Sequence, residues 1–386
     1  MLSARQGQPL SCPGGIDSRL APFESFSVSS EGRPTSGRRK CEVPARLQRR
    51  SVLQVILDFV PQRELTVAGL FAGVGGIERG FHKAGFEPVF ANELDQFAIR
   101  TFENNPVNRR KPLKVKAGDI EEIVATELDS IPDGFSVLTG GFPCQPFSVA
   151  GYRKGFDDQR GNVFFAIEKI FQSRKPDVVF LENVKNLLGH DHGRTYTVIR
   201  ESLESAGYIV DEKVMNAKDY GNVPQNRERI YIVAFRSEKA ASAFEWPKPI
   251  RLTAPLGKFI DFDKVVDDKY YYEGSFFYDK LARTITRNDR VYQWRRMYVR
   301  ENMSGVCPTL TANMGMGGHN VPLIKTDDGR IRKLTPSECF RLMGFGTMKF
   351  PEGMADSRLY KQAGNAVVVP VIRRIAEQIK LALESV

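Results

Sequence analysis

The feature that most constrains the fold is an alternation of apolar runs with amphipathic segments, which begins at Leu65 and continues to about Arg236. Five apolar runs have the length and composition of buried strands: LTVAGLF, PVFANELD, FSVLTGGF, PDVVFLENV and ERIYIVAF. Helical spacing is found between them, at IERGFHKAGF, NVFFAIEKIFQSRK and RTYTVIRESLESAG. This pattern predicts an α/β fold with a doubly wound, mostly parallel sheet that has helices on both faces.

The chain divides into four segments at the points where this pattern begins and ends. Residues 1–63 are rich in Ser, Gly, Pro and Arg, and we expect a disordered basic arm with one possible helix near its end. Residues 64–236 carry the alternation and form the first domain. Residues 237–330 show no sustained period, which predicts a second, smaller and irregular domain. Residues 331–386 return to helical spacing and end in a closing amphipathic helix.

Charge and cysteine content limit the class of protein. The net charge is +10, half of it in the first 63 residues, and this favours a polyanionic partner. No apolar run approaches the ~20 residues of a membrane span, and the N-terminus lacks the apolar core of a secretory signal, so we expect a cytosolic protein. The five cysteines form no CxxC pair and the four histidines have no further ligands near them, so no metal site is predicted.

A glycine turn and two later carboxylates suggest a cofactor site. The FAGVGG turn, with Gly73 and Gly75, lies between a predicted strand and a predicted helix, where a backbone can approach a ligand. Glu93 follows 18 residues after Gly75, the distance at which a carboxylate meets ribose hydroxyls in doubly wound folds. Asp119 could accept from an adenine amino group, or it could cap the helix that follows. An adenosine-containing cofactor is predicted, although a glycine turn alone would also suit a sharp structural turn.

The stretch GGFPCQPFSV places Cys144 in a rigid setting at the end of a predicted strand. Pro143 and Pro146 restrict the backbone on both sides of the thiol and so aim its side chain. Glu182 ends another predicted strand at the same sheet edge, and this pairing suggests covalent addition with assisted protonation. The residues also allow an inert cysteine and a helix-capping carboxylate. Asn183 could orient the loop that carries Pro143.

The motifs GLFAGVGG, GGFPCQPFS, ENV, QNRERIYIVAF and KQAGNAVVVP occur in an order and spacing that resemble the bacterial DNA (cytosine-5)-methyltransferases. The resemblance covers roughly residues 65–386. It implies an S-adenosylmethionine-dependent methyltransferase fold, with catalysis and cofactor binding in residues 64–236 and 331–386. It also implies that residues 237–330 recognise the target.

The same resemblance implies a cofactor site. The residues implied to contact S-adenosylmethionine are Phe71, Gly73, Gly75, Glu93, Asp119 and Asn365. In this assignment Phe71 stacks on adenine, Glu93 binds the ribose and Asp119 accepts from the adenine amino group. The family usually has Ser after the final asparagine, whereas this chain has Ala366, and we expect a modest effect from the missing hydroxyl.

The resemblance also assigns catalytic roles. Cys144 looks like the nucleophile that attacks C6 of a cytosine flipped out of the duplex, and Glu182 like the acid that contacts N3. Arg229 resembles the arginine that holds the base and the covalent adduct. Arg227 and Gln225 complete its motif, and we predict a catalytic role for Arg227 and a DNA contact for Gln225. The segment SVAGYRKGFDDQRG resembles the mobile loop that closes over the flipped base.

The second domain holds the predicted DNA contacts. Residues 283–300 contain six arginines, which suit phosphates and guanine edges, and we predict contacts from Arg295, Arg296 and Arg300. Thr309 resembles a residue that contacts the backbone near the flipped nucleotide. The stretch from YQWRRMYVR to GGHNVP resembles the recognition region of enzymes that modify the inner cytosine of CCNGG, CCWGG or CCGG sites.

Together these features predict a monomeric bacterial enzyme that modifies double-stranded DNA in the cytoplasm, without a membrane partner. A cognate restriction endonuclease could exist without forming a stable complex. Two other functions remain open. One is a tRNA cytosine methyltransferase, and the other is a DNA-binding regulator that acts through residues 1–63, although that arm could equally be a solvated basic segment.

Overall fold

The structure is a computed structural model, and it describes residues 63–143, 163–295, 298–315 and 321–386. Several predicted features lie outside these ranges: the N-terminal arm up to residue 62, Cys144, the SVAGYRKGFDDQRG segment and Arg296.

A seven-stranded sheet forms the centre of residues 64–236. The strands in this part of the chain are β1 (Thr66–Leu70), β2 (Glu87–Glu93), β3 (Lys116–Ala117), β4 (Val137–Gly140), β5 (Val178–Val184), β6 (Ile209–Asn216), β7 (Gln225–Asn226) and β8 (Glu228–Phe235). All except β7 join the sheet, in the order β3-β2-β1-β4-β5-β8-β6. Only β8 runs antiparallel to its neighbours in this sheet. This confirms the predicted mostly parallel α/β fold.

Helices cover both faces because successive strand residues alternate between two apolar cores. Val67 and Phe180 belong to one core, whereas their neighbours Ala68 and Leu181 belong to the other. The helices that accompany these strands are α1 (Gly76–Lys83), α2 (Gln96–Asn104), α3 (Ile120–Thr126), α4 (Val163–Arg174), α5 (Arg194–Ser205), α6 (Ala217–Tyr220) and α7 (Glu238–Ala243). Helix α1 contributes to the first core, and α3, α4 and α5 contribute to the second.

The region predicted to be irregular contains a regular sheet. Its elements are α8 (Tyr278–Thr284), β9 (Val291–Arg295), β10 (Tyr298–Asn302), β11 (Cys307–Pro308) and β12 (Pro322–Lys325), and β13 (Ile331–Lys333) follows just beyond its predicted end. Four of these strands form an antiparallel sheet in the order β10-β9-β12-β13, while β11 pairs with β7. One face packs on an apolar cluster that includes Tyr292, Trp294 and Leu323. The strands have three to five residues each, which is too short for a clear period in the sequence.

The chain returns to the first domain through three helices: α9 (Pro336–Leu342), α10 (Asp356–Asn365) and α11 (Val369–Glu384). Helix α11 packs directly on α1. The approach is close at Gly80, where an added Cβ would lie 2.4 Å from Ile372 Cγ2. Within the described ranges, no helix combines the length and the apolarity that crossing a membrane requires.

A buried ion pair joins the second sheet to α9. Arg332 in β13 and Glu338 in α9 are fully buried, and their two hydrogen bonds measure 2.7 and 2.8 Å. Glu338 also accepts from the Thr335 main-chain N–H and from that of Asp261, and Arg332 donates to the Asp261 carbonyl. Because both charges are desolvated, each depends on the other for its compensation.

Replacing Glu338 by Gln is expected to lower the free energy of unfolding by about 3–5 kcal/mol, since Arg332 would remain buried without a carboxylate. Chemical denaturation followed by circular dichroism measures this loss. The control is Glu377→Gln, which breaks the half-exposed pair with Arg373 on α11. That change should cost about 0.5 kcal/mol or less. Equal losses in the two variants would contradict the assigned importance of the buried pair.

Candidate active site

A cavity of about 530 Å³ opens at the carboxyl ends of β1, β2, β4 and β5. The order of the sheet reverses between β1 and β4, and such a switch point is where open α/β sheets bind ligands. Predicted site residues that line the cavity are Phe71, Gly73, Glu93, Asp119, Glu182, Arg227, Arg229 and Asn365. The fold therefore brings together residues that lie up to 294 positions apart in the sequence.

The glycine turn after β1 has the backbone shape that its sequence predicts. Phe71, Gly73 and Gly75 all have positive φ angles, of 55°, 56° and 81°. A Cβ at Gly73 would meet nothing within 4 Å, so this side of the turn is open for a ligand. Gly75 does not line the cavity, and an added Cβ there would lie 2.7 Å from the Phe102 ring. Gly75 is therefore required for packing, while Gly73 and the left-handed Phe71 line the cavity.

Glu93, the last residue of β2, holds the glycine turn in place. Its Oε2 accepts a 2.7 Å hydrogen bond from the Gly73 main-chain N–H. Its Oε1 accepts from the N–H groups of Leu94 and Asp95, at 2.9 and 2.8 Å. A carboxylate can accept about four hydrogen bonds, so capacity remains for a hydroxyl of a bound ligand. This arrangement fits the predicted ribose contact.

Asp119 has the capping role that its sequence position allows, and it also lies at the cavity. Its Oδ1 accepts from the Glu121 N–H at 2.9 Å, so the side chain caps α3. The residue is also exposed and lines the cavity beside Gly118 and Ile120. The capping role is thus established by the structure, and the adenine contact stays a prediction.

Replacing Glu93 by Ala is expected to weaken cofactor binding by about 10- to 100-fold, because a charged hydrogen-bond acceptor and the anchor of the glycine turn are lost together. Isothermal titration with S-adenosylhomocysteine in the absence of DNA measures the affinity. Glu87→Ala is the matched control, since Glu87 begins the same strand but binds Asn108 instead. Unchanged affinity in the Glu93 variant would exclude it from the cofactor site.

The final helices form the remaining wall of the cavity. Asn365, at the end of α10, is exposed, and Ala366 lies beside it in the cavity wall. Gln362 also lines the cavity, although it was not predicted from the sequence. It is only 5% exposed, and neither of its amide atoms has a hydrogen-bond partner. A buried polar group of this kind requires a partner, so the wall fits a polar ligand. A polar residue three positions after Leu359, on a buried helix face, was the available signal.

Glu182 and Arg229 face each other across two neighbouring strands. Arg229 Nε lies 3.2 Å from Glu182 Oε1, and both side chains are largely buried. Burial raises the pKa of Glu182, and the nearby charges of Arg229 and Arg227 act in the opposite direction. The 3₁₀ segment that follows β5 has no side-chain cap, so the alternative capping role for Glu182 is wrong. The carboxyl is therefore suited to hold a proton in a dry pocket.

Asn183 connects this pair to the segment that leads to Cys144. Its Nδ2 donates a 3.0 Å hydrogen bond to the carbonyl of Phe142, two residues before the cysteine. Its Oδ1 accepts from the Val184 N–H at 2.8 Å. The predicted role of Asn183 in orienting the loop with Pro143 is confirmed. Gly141, Phe142 and Pro143 line the same cavity as Glu182.

Gln225 is too deeply buried to contact DNA. It is fully buried, its Nε2 donates to the Leu342 carbonyl at 2.8 Å, and its Oε1 accepts from the Leu310 N–H at 3.2 Å. Because both ends of the amide are bound to main chain, we correct the DNA-contact prediction: Gln225 holds two distant segments together.

Arg227 is also buried and binds main chain rather than a carboxylate. Its guanidinium donates to the carbonyl of Leu310 at 2.8 Å, to that of Gly364 at 3.1 Å and to that of Ala366 at 2.8 Å. Burial and the neighbouring Arg229 lower the pKa of Arg227 to about 9, so it remains charged at neutral pH. These contacts argue against the predicted catalytic role.

Two predicted DNA-reading arginines share one face of the second sheet. In the antiparallel pairing of β9 with β10, Arg295 faces Tyr298 and Arg300 faces Gln293. Arg295, Arg300 and Tyr298 are exposed, on the face opposite to the Trp294 cluster. Thr309 donates from its hydroxyl to the carbonyl of Asn226, so it is bound to the β7 segment.

Comparison with known proteins agrees with this geometry. The sequence profile of the C-5 cytosine-specific DNA methylase family matches residues 65–381. The chain is 53% identical over 319 residues to the type II methyltransferase M.Bsp6I of Bacillus sp. (strain RFL6), covering 82% of this chain and 98% of that protein. It is 40% identical over 346 residues to the type II methyltransferase M.SsoII of Shigella sonnei, covering 86% of each.

Solved structures show the same fold at lower identity. The Dnmt2 methyltransferase of S. pombe is similar with a TM-score of 0.61 and 20% identity, over 83% of this chain and 99% of that one. The DNMT2 of Spodoptera frugiperda is similar with a TM-score of 0.61 and 18% identity, over 83% and 100%. The profile match, the sequence relatives and the fold agree, and the chain belongs to the C-5 cytosine-specific DNA methylase family, which uses S-adenosylmethionine.

Proposed function

We propose that this protein methylates C5 of the inner cytosine in a CCNGG-like site of double-stranded DNA, as the modification half of a restriction–modification system. The observation that carries the proposal is the pairing of Glu182 with Arg229 at the cavity that Asn183 joins to the Cys144 loop. The Glu182 carboxyl is positioned to donate a proton, and the Cys144 thiol comes next in the sequence after Pro143, the last described residue of that loop. This combination suits covalent addition to an electron-poor ring.

The reaction requires that a poor carbon nucleophile be activated. Cys144, as the thiolate, adds to C6 of the cytosine while Glu182 gives its proton to N3, and C5 becomes enamine-like. S-adenosylmethionine would supply an electrophilic methyl group on a sulfonium, which C5 takes with release of S-adenosylhomocysteine. Loss of the C5 proton to water then restores the ring and expels Cys144 as a thiolate, and the N3 proton returns to Glu182. Arg229 fixes the position of the Glu182 carboxyl relative to the base.

The target ring cannot be reached within a duplex, so the base must flip into the cavity, at a cost of a few kcal/mol. The lining of the cavity supports this assignment, since Gly73, Glu93 and Asn365 line the same cavity as Glu182 and Arg229. We propose that the cofactor lies against the first three residues and the flipped base against Glu182 and Arg229.

The second sheet is proposed to read the site. On the face opposite to the Trp294 cluster, the sheet carries the exposed side chains of Arg295 and Arg300 beside Tyr298, a combination that suits phosphates and guanine edges. The two sequence relatives are type II methyltransferases, and this supports a place in a restriction–modification system. Such an enzyme would act on chromosomal DNA in the bacterial cytoplasm, as a monomer beside a separate endonuclease.

The test is to map methylation directly. The protein is incubated with labelled S-adenosylmethionine and a duplex library of CC-containing sites, and 5-methylcytosine is located by bisulfite sequencing. A matched duplex with 5-methylcytosine already at the inner position serves as the control and should accept no label. Label in the outer cytosine, at sites without CC, or in a tRNA transcript alone would overturn the proposal.

A further inference from the structure

Arg227 lies at a junction of three separate parts of the chain. It is 3% exposed, follows β7 and precedes β8 in the large sheet, and donates to carbonyls in two other segments. One is Leu310, just after β11, and the other is the end of α10, at Gly364 and Ala366. A single side chain therefore fixes two segments that lie more than 50 residues apart in the sequence.

The Leu310 segment is held by side chains and main chain from the same short stretch. Gln225 accepts from the Leu310 N–H while Arg227 binds the Leu310 carbonyl, so both polar groups of this residue are fixed. Thr309 donates to the Asn226 carbonyl, and β11 pairs with β7 in parallel. The chain that leaves β10 of the second sheet is thus docked onto the first domain at residues 225–227.

The end of α10 meets this docked segment without room for a side chain. A Cβ added at Gly364 would lie 2.2 Å from the Thr311 carbonyl carbon and 2.5 Å from the Ala312 nitrogen. The next residues, Asn365 and Ala366, line the cavity. Arg227 and the missing side chain at Gly364 therefore set the distance between the cavity wall and the Thr309–Thr311 segment.

We propose that Arg227 is a positioning residue that holds the cavity wall at Asn365 and Ala366 and the Thr309–Thr311 segment in fixed relative positions. Losing it should therefore weaken the binding of cofactor and of DNA together. The proposal rests on the proposed function, which places the cofactor near Asn365, and on the family resemblance, which implies a DNA backbone contact at Thr309. It replaces a direct role for Arg227 at the reacting base, since the three hydrogen bonds that its guanidinium makes all go to carbonyls.

The test compares Arg227→Met with the wild type in steady-state kinetics and in binding of S-adenosylhomocysteine and of a labelled duplex. Methionine keeps much of the volume and removes every donor. We expect the KM values for cofactor and DNA both to rise by about 10-fold or more, while kcat at saturation changes by less than about threefold. Arg227→Lys, which keeps the charge and some donors, should restore part of both losses.

Gly364→Ala gives a second route to the same junction without changing charge. It should raise both KM values as Arg227→Met does. In the double variant the loss of binding free energy should be smaller than the sum of the two single losses, because both changes disrupt the same junction. If Arg227→Met does not fold, Arg227→Lys and Gly364→Ala carry the test.

Three results would overturn the proposal. A fall in kcat with both KM values unchanged would place Arg227 at the reacting base. A rise in only one KM would show that Arg227 does not couple the cavity wall at Asn365 to the Thr309–Thr311 segment. A lower melting temperature with unchanged kinetics would leave Arg227 with a structural role alone. If the wild type failed to methylate inner cytosines, only the proposed function would be contradicted. The role of Arg227 could still be tested, because binding of S-adenosylhomocysteine and of the labelled duplex does not depend on methyl transfer.

Discussion

Replacing Cys144 by Ala is expected to reduce methyl transfer by roughly 10⁴-fold or more, because the covalent addition that activates C5 has no other nucleophile. Binding of the duplex should remain close to that of the wild type, since phosphate contacts supply most of the affinity. Transfer of a labelled methyl group measures the first quantity, and fluorescence anisotropy of a labelled duplex measures the second. Turnover that survives in this variant would exclude Cys144 as the nucleophile.

The covalent step can be observed directly with a duplex that carries 5-fluorocytosine at the target. Fluorine cannot leave C5 as a proton does, so the adduct with the thiol should accumulate and survive denaturing electrophoresis. Cys339→Ala is the matched control: Cys339 is fully buried in α9 and burial raises the pKa of its thiol, so it cannot replace Cys144. The adduct should form in that variant and be missing in Cys144→Ala. The opposite pattern would contradict the assignment.

Local sequence patterns predicted the position of the glycine turn and the end of β2 correctly. The glycine turn, the strand that ends at Glu93 and the left-handed angles at Gly73 and Gly75 follow from residues close together in the chain. Asn183 also follows this rule, since it directly follows Glu182 and reaches the neighbouring loop through the parallel pairing of β4 with β5. Sheet geometry alone brings such neighbours together.

Long-range contacts are the part that the sequence could not predict. Gln225 resembles a polar surface residue, yet its partners Leu310 and Leu342 lie 85 and 117 positions away and remove it from solvent. Arg227 is buried for the same reason, with its partners 83 to 139 positions away. Their burial depends on how the second sheet and α10 return to the first domain, and no local period encodes this. The same motif therefore contains one residue that pairs with Glu182, Arg229, and two whose side chains bind the main chain of distant segments.

Replacing Glu182 by Gln is expected to lower kcat by about 10²- to 10⁴-fold, because the amide can donate a hydrogen bond to N3 but cannot transfer a proton. Burial raises the pKa of Glu182, so in the wild type the protonated fraction falls as pH rises through that raised pKa. The wild-type rate should therefore decline on the alkaline side. In the Gln variant this decline should disappear, since an amide does not titrate. The pH dependence of kcat measures both effects.

A second buried carboxyl supplies the matched control. Glu78 in α1 is fully buried, both of its oxygens lack a hydrogen-bond partner, and burial raises its pKa to about 8. Its ionisation would cost stability as pH rises through about 8, and this too could reduce activity in alkaline solution. Glu78→Gln removes that titration but leaves Glu182 intact, so the alkaline decline in kcat should persist. If the decline is lost in Glu78→Gln and kept in Glu182→Gln, the proton that controls the rate is not on Glu182.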